Sequence, residues 1–141
     1  MTITLQQANA IIAGALDKAA ELKLKPLSVA VLDQGGHLIA FQRQDGSSLM
    51  RFQIANGKAS GALALGVSSR KIAEMAAERP SFVASLGSIA SAGVVPVPGG
   101  VLVTDASGAV IGAVGISGDV SDNDEACALA GITASGLSAR T

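Results

Sequence analysis

Four charged residues have the types and positions expected of a small acid–base site. Arg43 ends a run of apolar residues, Asp45 lies in the loop that follows, and Lys58 lies at the margin of the next helix's apolar stripe. Partial burial there lowers the pKa of a lysine toward that of a useful base, and Glu125 in a later helix is the matching acid. The pattern predicts proton transfer between Lys58, Glu125 and a ligand whose anionic group Arg43 holds.

Structural ion pairs are the ordinary alternative for the same side chains. The stem of Lys58 can run along apolar surface while its ammonium meets Asp45 or Glu125. A pair between Arg43 and Asp45 accounts for the arginine almost as well. On the sequence alone, these alternatives and the acid–base site both stay open.

Glycines and one serine are expected to line the same pocket. The run 112–118 leads from a strand toward a helix, but its Gly-x-x-Gly-x-x-Gly spacing differs from that of phosphate-binding loops. Acidic residues also crowd the helix start where a phosphate would lie. We therefore predict a small-ligand pocket that does not take nucleotides. Its predicted ligand-binding residues are Arg43, Asp45, Lys58, Gly99, Gly100, Ser117, Gly118 and Glu125.

The sequence offers few side chains that ligate a metal. His37 is the one histidine and a weak candidate for a metal ligand, because it follows a tight turn where solvated histidines are common. It precedes Arg43 by six residues on one predicted strand, or about 20 Å at about 3.3 Å per residue. His37 therefore belongs to a separate site, to a site shared with a neighbouring subunit, or to none. Cys127 lies among alanines and is predicted to be a packing residue.

The elements that position these residues follow from periodicity and turn residues. Apolar residues at steps of three and four predict a first helix over 5–24, and Thr4 with Gln7 predicts its capping box. Small residues fill the helix predicted over 50–66, which indicates close approach by a neighbouring element. The order of elements indicates an α+β fold, an antiparallel sheet with helices packed on it. The remaining predicted elements are helices 68–79 and 121–137, the hairpins 27–33/37–43 and 100–105/110–117, and a short strand 94–97 that two prolines restrict to an edge or to a short extended piece.

Composition restricts the class of protein and its partners. The 141 residues are 49% apolar with 17 glycines, which predicts a single domain over 1–141. Ten Lys and Arg against eleven Asp and Glu, without a basic run, predict no nucleic-acid partner. The longest nearly apolar stretch, 109–118, is far shorter than the roughly 20 residues of a spanning helix. We therefore expect a cytoplasmic protein without a membrane partner, whose surplus apolar surface packs against identical subunits.

Several short blocks together carry a family resemblance. They are Val-Leu-Asp-Gln-Gly-Gly-His at 31–37, Arg-Gln-Asp-Gly at 43–46, Lys-Ala at 58–59, Pro-Gly-Gly at 98–100, and Gly-Ala-Val-Gly-Ile-Ser-Gly at 112–118 followed by Asp-Glu at 124–125. In these blocks the chain resembles the GlcG/HbpS family, which is related to the C-terminal domain of PduO-type corrinoid adenosyltransferases. The resemblance implies a profilin-like sandwich with a central antiparallel sheet of about five strands. It also implies a heme or tetrapyrrole ligand and assembly into dimers or octamers.

Two functions are therefore expected from the sequence. The first is binding of a small ligand, with heme or a related tetrapyrrole as the cofactor that the resemblance implies and His37 as its weak candidate ligand. The second is an isomerase, tautomerase or lyase that acts on a carboxylate or carbonyl compound without a metal, with Lys58, Glu125 and Arg43 as catalytic residues. Whether the protein is an enzyme stays open at this stage.

Overall fold

The N-terminal helix forms where the sequence predicts it. The computed structural model describes all 141 residues, and α1 spans Leu5–Leu22. The capping box is present, because Thr4 Oγ1 accepts a hydrogen bond from the Gln7 backbone N–H and the Gln7 side chain accepts one from the Thr4 N–H. Lys23 ends the helix in the left-handed conformation, with φ of 56°.

A five-stranded antiparallel sheet forms the centre of the protein. The strands are β1 (Ser28–Asp33), β2 (Leu38–Arg43), β3 (Gly100–Thr104), β4 (Val110–Ser117) and β5 (Ser138–Arg140). Their spatial order is β2-β1-β4-β3-β5. The α+β fold with an antiparallel sheet of about five strands is therefore confirmed, as are both hairpins, β1–β2 and β3–β4.

Two strand predictions differ from the structure. Residues 94–97 form no strand, because Pro96 and Pro98 lack the N–H groups that a ladder needs. The fifth strand is β5, which pairs with β3 at the sheet edge. It lies directly after the last helix, which ends three residues earlier than predicted, at Ala134 rather than 137. Gly136, with φ of 81°, turns the chain back toward the sheet.

Helices cover both faces of the sheet. On one face α1 packs with α5 (Ser121–Ala134), and on the other α2 (Arg51–Leu65) lies across β4, β1 and β3. Two further helices continue the chain: α3 (Ser69–Glu78) packs against α2, and α4 (Pro80–Leu86) packs against α3. No helix is both long and apolar enough to cross a membrane.

The small residues of α2 allow its backbone to approach the sheet, as predicted. A Cβ atom at Gly115 of β4 would collide with the backbone carbonyl of Ala55, and one at Gly100 of β3 would collide with that of Lys58. Because the helix lies this close, its middle residues are buried under the sheet. This close packing is what places Lys58 inside the protein.

Candidate functional site

Lys58 is fully buried and forms an ion pair with Asp124. Its side chain is 2% exposed and that of Asp124 is 1% exposed, and Lys58 Nζ lies 3.0 Å from Asp124 Oδ2. The ammonium also donates to the Ile116 carbonyl at 2.9 Å. The second oxygen of Asp124 accepts from the Asp119 backbone N–H at 3.0 Å. The pair therefore joins α2 to the end of β4 and to α5.

Burial dominates the electrostatics of this pair. Desolvation lowers the pKa of Lys58, and the attraction of Asp124 opposes that shift. Desolvation likewise raises the pKa of Asp124, and Lys58 opposes it. The pKa of Lys58 is therefore lowered, as the sequence predicts. The side chain is more deeply buried than a position at the margin of the apolar stripe suggests. Each charge depends on the other for stabilisation in this water-poor environment.

Lys58 and Glu125 do not face each other, contrary to the expectation from the sequence. Glu125 instead accepts two hydrogen bonds from Arg70 Nε, both at 3.1 Å, while Arg70 Nη2 lies 2.6 Å from Asp122. Successive helix residues point about 100° apart, so only one of Asp124 and Glu125 can face the sheet. The correction is that Asp124 faces Lys58 and Glu125 faces α3. The expected structural pairs of Lys58 with Asp45 or Glu125 are absent, because Lys58 pairs with Asp124 and Asp45 lies at the end of β2.

The predicted glycines divide between two places. Gly99, with φ of 127°, lies against the ammonium, since a Cβ there would come within 2.8 Å of Lys58 Nζ. The Gly100 N–H donates to Ser69 Oγ at 2.7 Å beside the Lys58 backbone. Gly118 lies elsewhere, where a Cβ would collide with the Pro26 carbonyl. Gly99 and Gly100 thus pack tightly around Lys58, whereas Gly118 lies outside the surroundings of Lys58.

Arg43 and Asp45 lie at the end of β2, outside the Lys58 cluster. They line an open depression of about 510 Å³ together with Leu16, Leu24 and Pro26 of the α1 side and Gln44. Neither side chain forms an ion pair, so the expected pair between them is absent. The structure therefore does not join Arg43 to Lys58 and Glu125 in one acid–base centre.

Arg51, which the sequence analysis missed, reaches the predicted residue Ser117. Arg51 is the first residue of α2, and its Nη1 donates to Ser117 Oγ at 3.0 Å. The strand partner of Ser117 is Ser28, whose Oγ is buried without any hydrogen-bond partner. Arg51 precedes Lys58 by seven residues, a spacing that puts both on one face of a helix. This spacing is the sequence signal by which Arg51 could have been recognised as a site residue.

The β1–β2 turn holds His37 in a defined position. Asp33 Oδ1 accepts from the backbone N–H groups of Gly35 and His37, each at 2.9 Å, and lies 3.2 Å from His37 Nδ1. These bonds, the one from the His37 N–H foremost, hold the pKa of Asp33 below its ordinary value. Asp33 Oδ1 is within hydrogen-bond distance of Nδ1, while Nε2 has no hydrogen-bond partner and belongs to a side chain that is 81% exposed.

Cys127 is a packing residue, as predicted. It is fully buried in the core between the sheet and the helices α1 and α5. Burial raises the pKa of its thiol to about 11. The group is therefore a neutral thiol with neither the access nor the charge of a metal ligand.

The chain matches the model of one protein family over most of its length. The model of the family described as haem degrading protein HbpS-like matches residues 3–133. The chain belongs to the HbpS-like family. No curated protein sequence matches it. The family resemblance expected from the sequence is therefore confirmed over most of its length.

Solved structures agree with the HbpS-like assignment. The chain is 27% identical to the ORFY protein of Klebsiella pneumoniae, with a TM-score of 0.87 over 96% of this chain and 92% of that one. It is 28% identical to HbpS, with a TM-score of 0.82 over 94% and 89% of the two chains. The PduOC protein, solved as a heme complex, shares the fold over the full length of both chains at 22% identity and a TM-score of 0.87.

Proposed function

We propose that this HbpS-like protein binds heme or a closely related tetrapyrrole, with His37 as an axial ligand. The observation that carries the proposal is the imidazole at the β1–β2 turn. Its Nδ1 lies 3.2 Å from the Asp33 carboxylate, and its Nε2 is free. A carboxylate that accepts from one ring nitrogen fixes the tautomer and raises the basicity of the other nitrogen, as it does in many metal sites.

The other side chains leave His37 as the donor that fits iron. Axial ligands of heme are typically His, Cys, Met or Tyr. The chain has no Tyr, its one cysteine is a buried thiol, and no hydrogen bond orients the thioether of any of its three methionines as Asp33 orients the His37 ring. Family membership and the heme complex of a protein with the same fold support the proposal further. Bound iron would supply the redox chemistry, while Asp33 would orient the ligating imidazole.

The surroundings of His37 fit a ligand that lies on the surface. The exposed turn provides one side of a site, and Leu38, next to His37, adds an exposed apolar side chain. We propose that identical subunits cover part of the apolar surface, as the composition predicts; whether they form dimers or octamers stays a prediction. Arg43 and Asp45 stay proposed ligand contacts of the depression at the other end of β2.

The test is a titration of purified protein with hemin, followed by the Soret band. We expect saturable, stoichiometric binding and a marked weakening in His37→Ala. Asp33→Asn should weaken binding less, since it keeps the ligand but removes the charge that orients it. Glu78→Ala, an exposed residue of α3 away from the turn, is the control and should bind as the wild type does. A Soret spectrum identical to that of free hemin, or equal affinity in His37→Ala, would contradict the proposal.

A further inference from the structure

Four residues that can donate hydrogen bonds lie side by side at one end of the sheet. Ser28 of β1 is the register partner of Arg43 on β2 and of Ser117 on β4, and Arg51 of α2 reaches Ser117. Cross-strand partners have Cβ atoms about 4.5–5.5 Å apart. Arg43, Ser28, Ser117 and Arg51, which we call the donor row, are therefore neighbours.

Ser28 and Ser117 of the donor row lie on the sheet face that α2 covers, and Arg43 ends the row on the edge strand β2, beside the depression that it lines with Asp45. Two residues along β1 from Ser28, Ala30 pairs with Phe41 and with Gly115. Phe41 packs edge to face against Phe52 of α2, and Gly115 lies against the α2 backbone. Residues two apart on a strand share a face. The Ser28 hydroxyl is consequently on the same side as the Arg51 side chain.

The donor row lacks an acceptor. Ser28 Oγ is fully buried and has no hydrogen-bond partner, and the Ser117 hydroxyl accepts from Arg51 without donating to any group. Neither Arg43 nor Arg51 has a carboxylate within 4.0 Å. Buried polar groups normally find partners, and guanidinium groups prefer planar anions. The missing chemical group is thus an anionic acceptor.

We propose that the donor row is a binding site for a carboxylate attached to an apolar body. The carboxylate would accept from the guanidinium of Arg51 and from the hydroxyls of Ser117 and Ser28, with Arg43 at the outer end. The apolar body would lie on the exposed side chains that flank the row in sequence. Leu49 and Met50 precede Arg51 and are 86% and 65% exposed, and Val120 follows Ser117 and is 65% exposed.

Access to the site is through Arg51. Arg51 is partly exposed whereas Ser28 and Ser117 are buried, so a ligand meets Arg51 first and reaches the two hydroxyls when the Arg51 side chain shifts. A free aliphatic acid and the propionate of a porphyrin offer the same chemistry. The site stands independently of heme ligation by His37, because its residues lie on other elements than the β1–β2 turn.

The first experiment follows amide shifts by NMR while sodium hexanoate is added, with hexanol as the neutral probe of the same shape. We expect saturable shifts around Arg51 and Ser117 with hexanoate and none with hexanol. Arg51→Gln should weaken binding roughly 10- to 100-fold, the effect of losing a charged hydrogen-bond donor. Arg79→Gln, which removes the same charge at the α3–α4 junction, is the matched control and should bind as the wild type does. Equal shifts with hexanol, or equal affinity in Arg51→Gln, would overturn the proposal.

Ser28→Ala separates binding from folding. It removes a buried hydroxyl without a partner, so the free protein should be at least as stable as the wild type. If the carboxylate uses this hydroxyl, the variant should nevertheless bind hexanoate several-fold more weakly. Unchanged affinity in Ser28→Ala would remove the buried hydroxyl from the site and contradict the proposal as stated.

A second experiment identifies the source of the carboxylate by comparing hemin with its dimethyl ester. A loss of hemin affinity in Arg51→Gln that the ester does not show supports a porphyrin propionate in the donor row, from a porphyrin that His37 of the same subunit does not ligate, because about 20 Å of strand separate His37 from Arg43. Unchanged hemin affinity together with lost hexanoate binding supports a free carboxylic acid. If hexanoate binds and hemin does not, only the proposed function is contradicted. If neither hexanoate binding nor hemin binding depends on Arg51, only this inference is contradicted.

Discussion

Replacing Asp124 with Asn tests how strongly the structure depends on the buried ion pair. Asn keeps the size of the side chain and can still accept from the Asp119 N–H, but it leaves the Lys58 ammonium without a counter-charge. Removing one partner of a buried pair typically costs about 3–5 kcal/mol. Because both side chains are almost completely buried, we expect a loss within that range. In a domain of this size it corresponds to roughly 10–20 °C in Tm.

The same variant has a signature in its pH dependence. Without the carboxylate, burial and the positive charge of Arg51 are the effects that remain on Lys58, and both keep the folded-state pKa below the unfolded value near 10.5. Between those two values the unfolded chain binds more protons than the folded one, so the free energy of unfolding rises with pH. The slope can reach about 1.4 kcal/mol per pH unit. Asp124→Asn should therefore recover stability as the pH is raised toward 10.

Urea denaturation followed by far-UV circular dichroism between pH 7 and 10 measures both effects, since the chain has no Trp or Tyr for fluorescence. Asp17→Asn removes an exposed carboxylate of α1 and should change stability by less than about 0.5 kcal/mol. The double variant Lys58→Met/Asp124→Asn buries no charge and should be more stable than Asp124→Asn alone. A loss below about 1 kcal/mol without a steeper pH profile would refute the reasoning.

Two further predictions concern packing. Gly115→Ala places a methyl group against the Ala55 carbonyl and should lower the free energy of unfolding, measured in thermal melts, by about 3 kcal/mol or more. Gly108→Ala, in open space at φ of 85°, is the control and should lower it by only about 1–2 kcal/mol through backbone strain. Equal losses in the two variants would mean that α2 does not lie as close to β4 as the structure has it. Cys127, buried with its thiol pKa raised to about 11, should resist iodoacetamide in the native protein at pH 8 and react after unfolding in urea. Rapid labelling of the native protein would show that the core around α5 opens.

Local signals in the sequence were sufficient for much of the fold. The capping box at Thr4 and both hairpins depend on residues close together in the chain, so they can be recognised without knowing what packs against them. The short strands could not be placed in this way. The segment 94–97 is apolar but has two prolines, and β5 is a strand because β3 offers it an unpaired edge, which no local pattern records.

The sequence by itself determined the family and the antiparallel α+β architecture, because short residue blocks, hydrophobic periodicity and turn residues carry them. Only the tertiary structure decided which partners meet. Asp124 rather than Glu125 faces Lys58 because of how α5 is rotated against the sheet. Ser28 comes to lie beside Ser117 and Arg51 because the register between β1 and β4 puts it there. Rotation and register are set by packing across distant parts of the chain, and a difference of one residue in either exchanges the side chains that form the site.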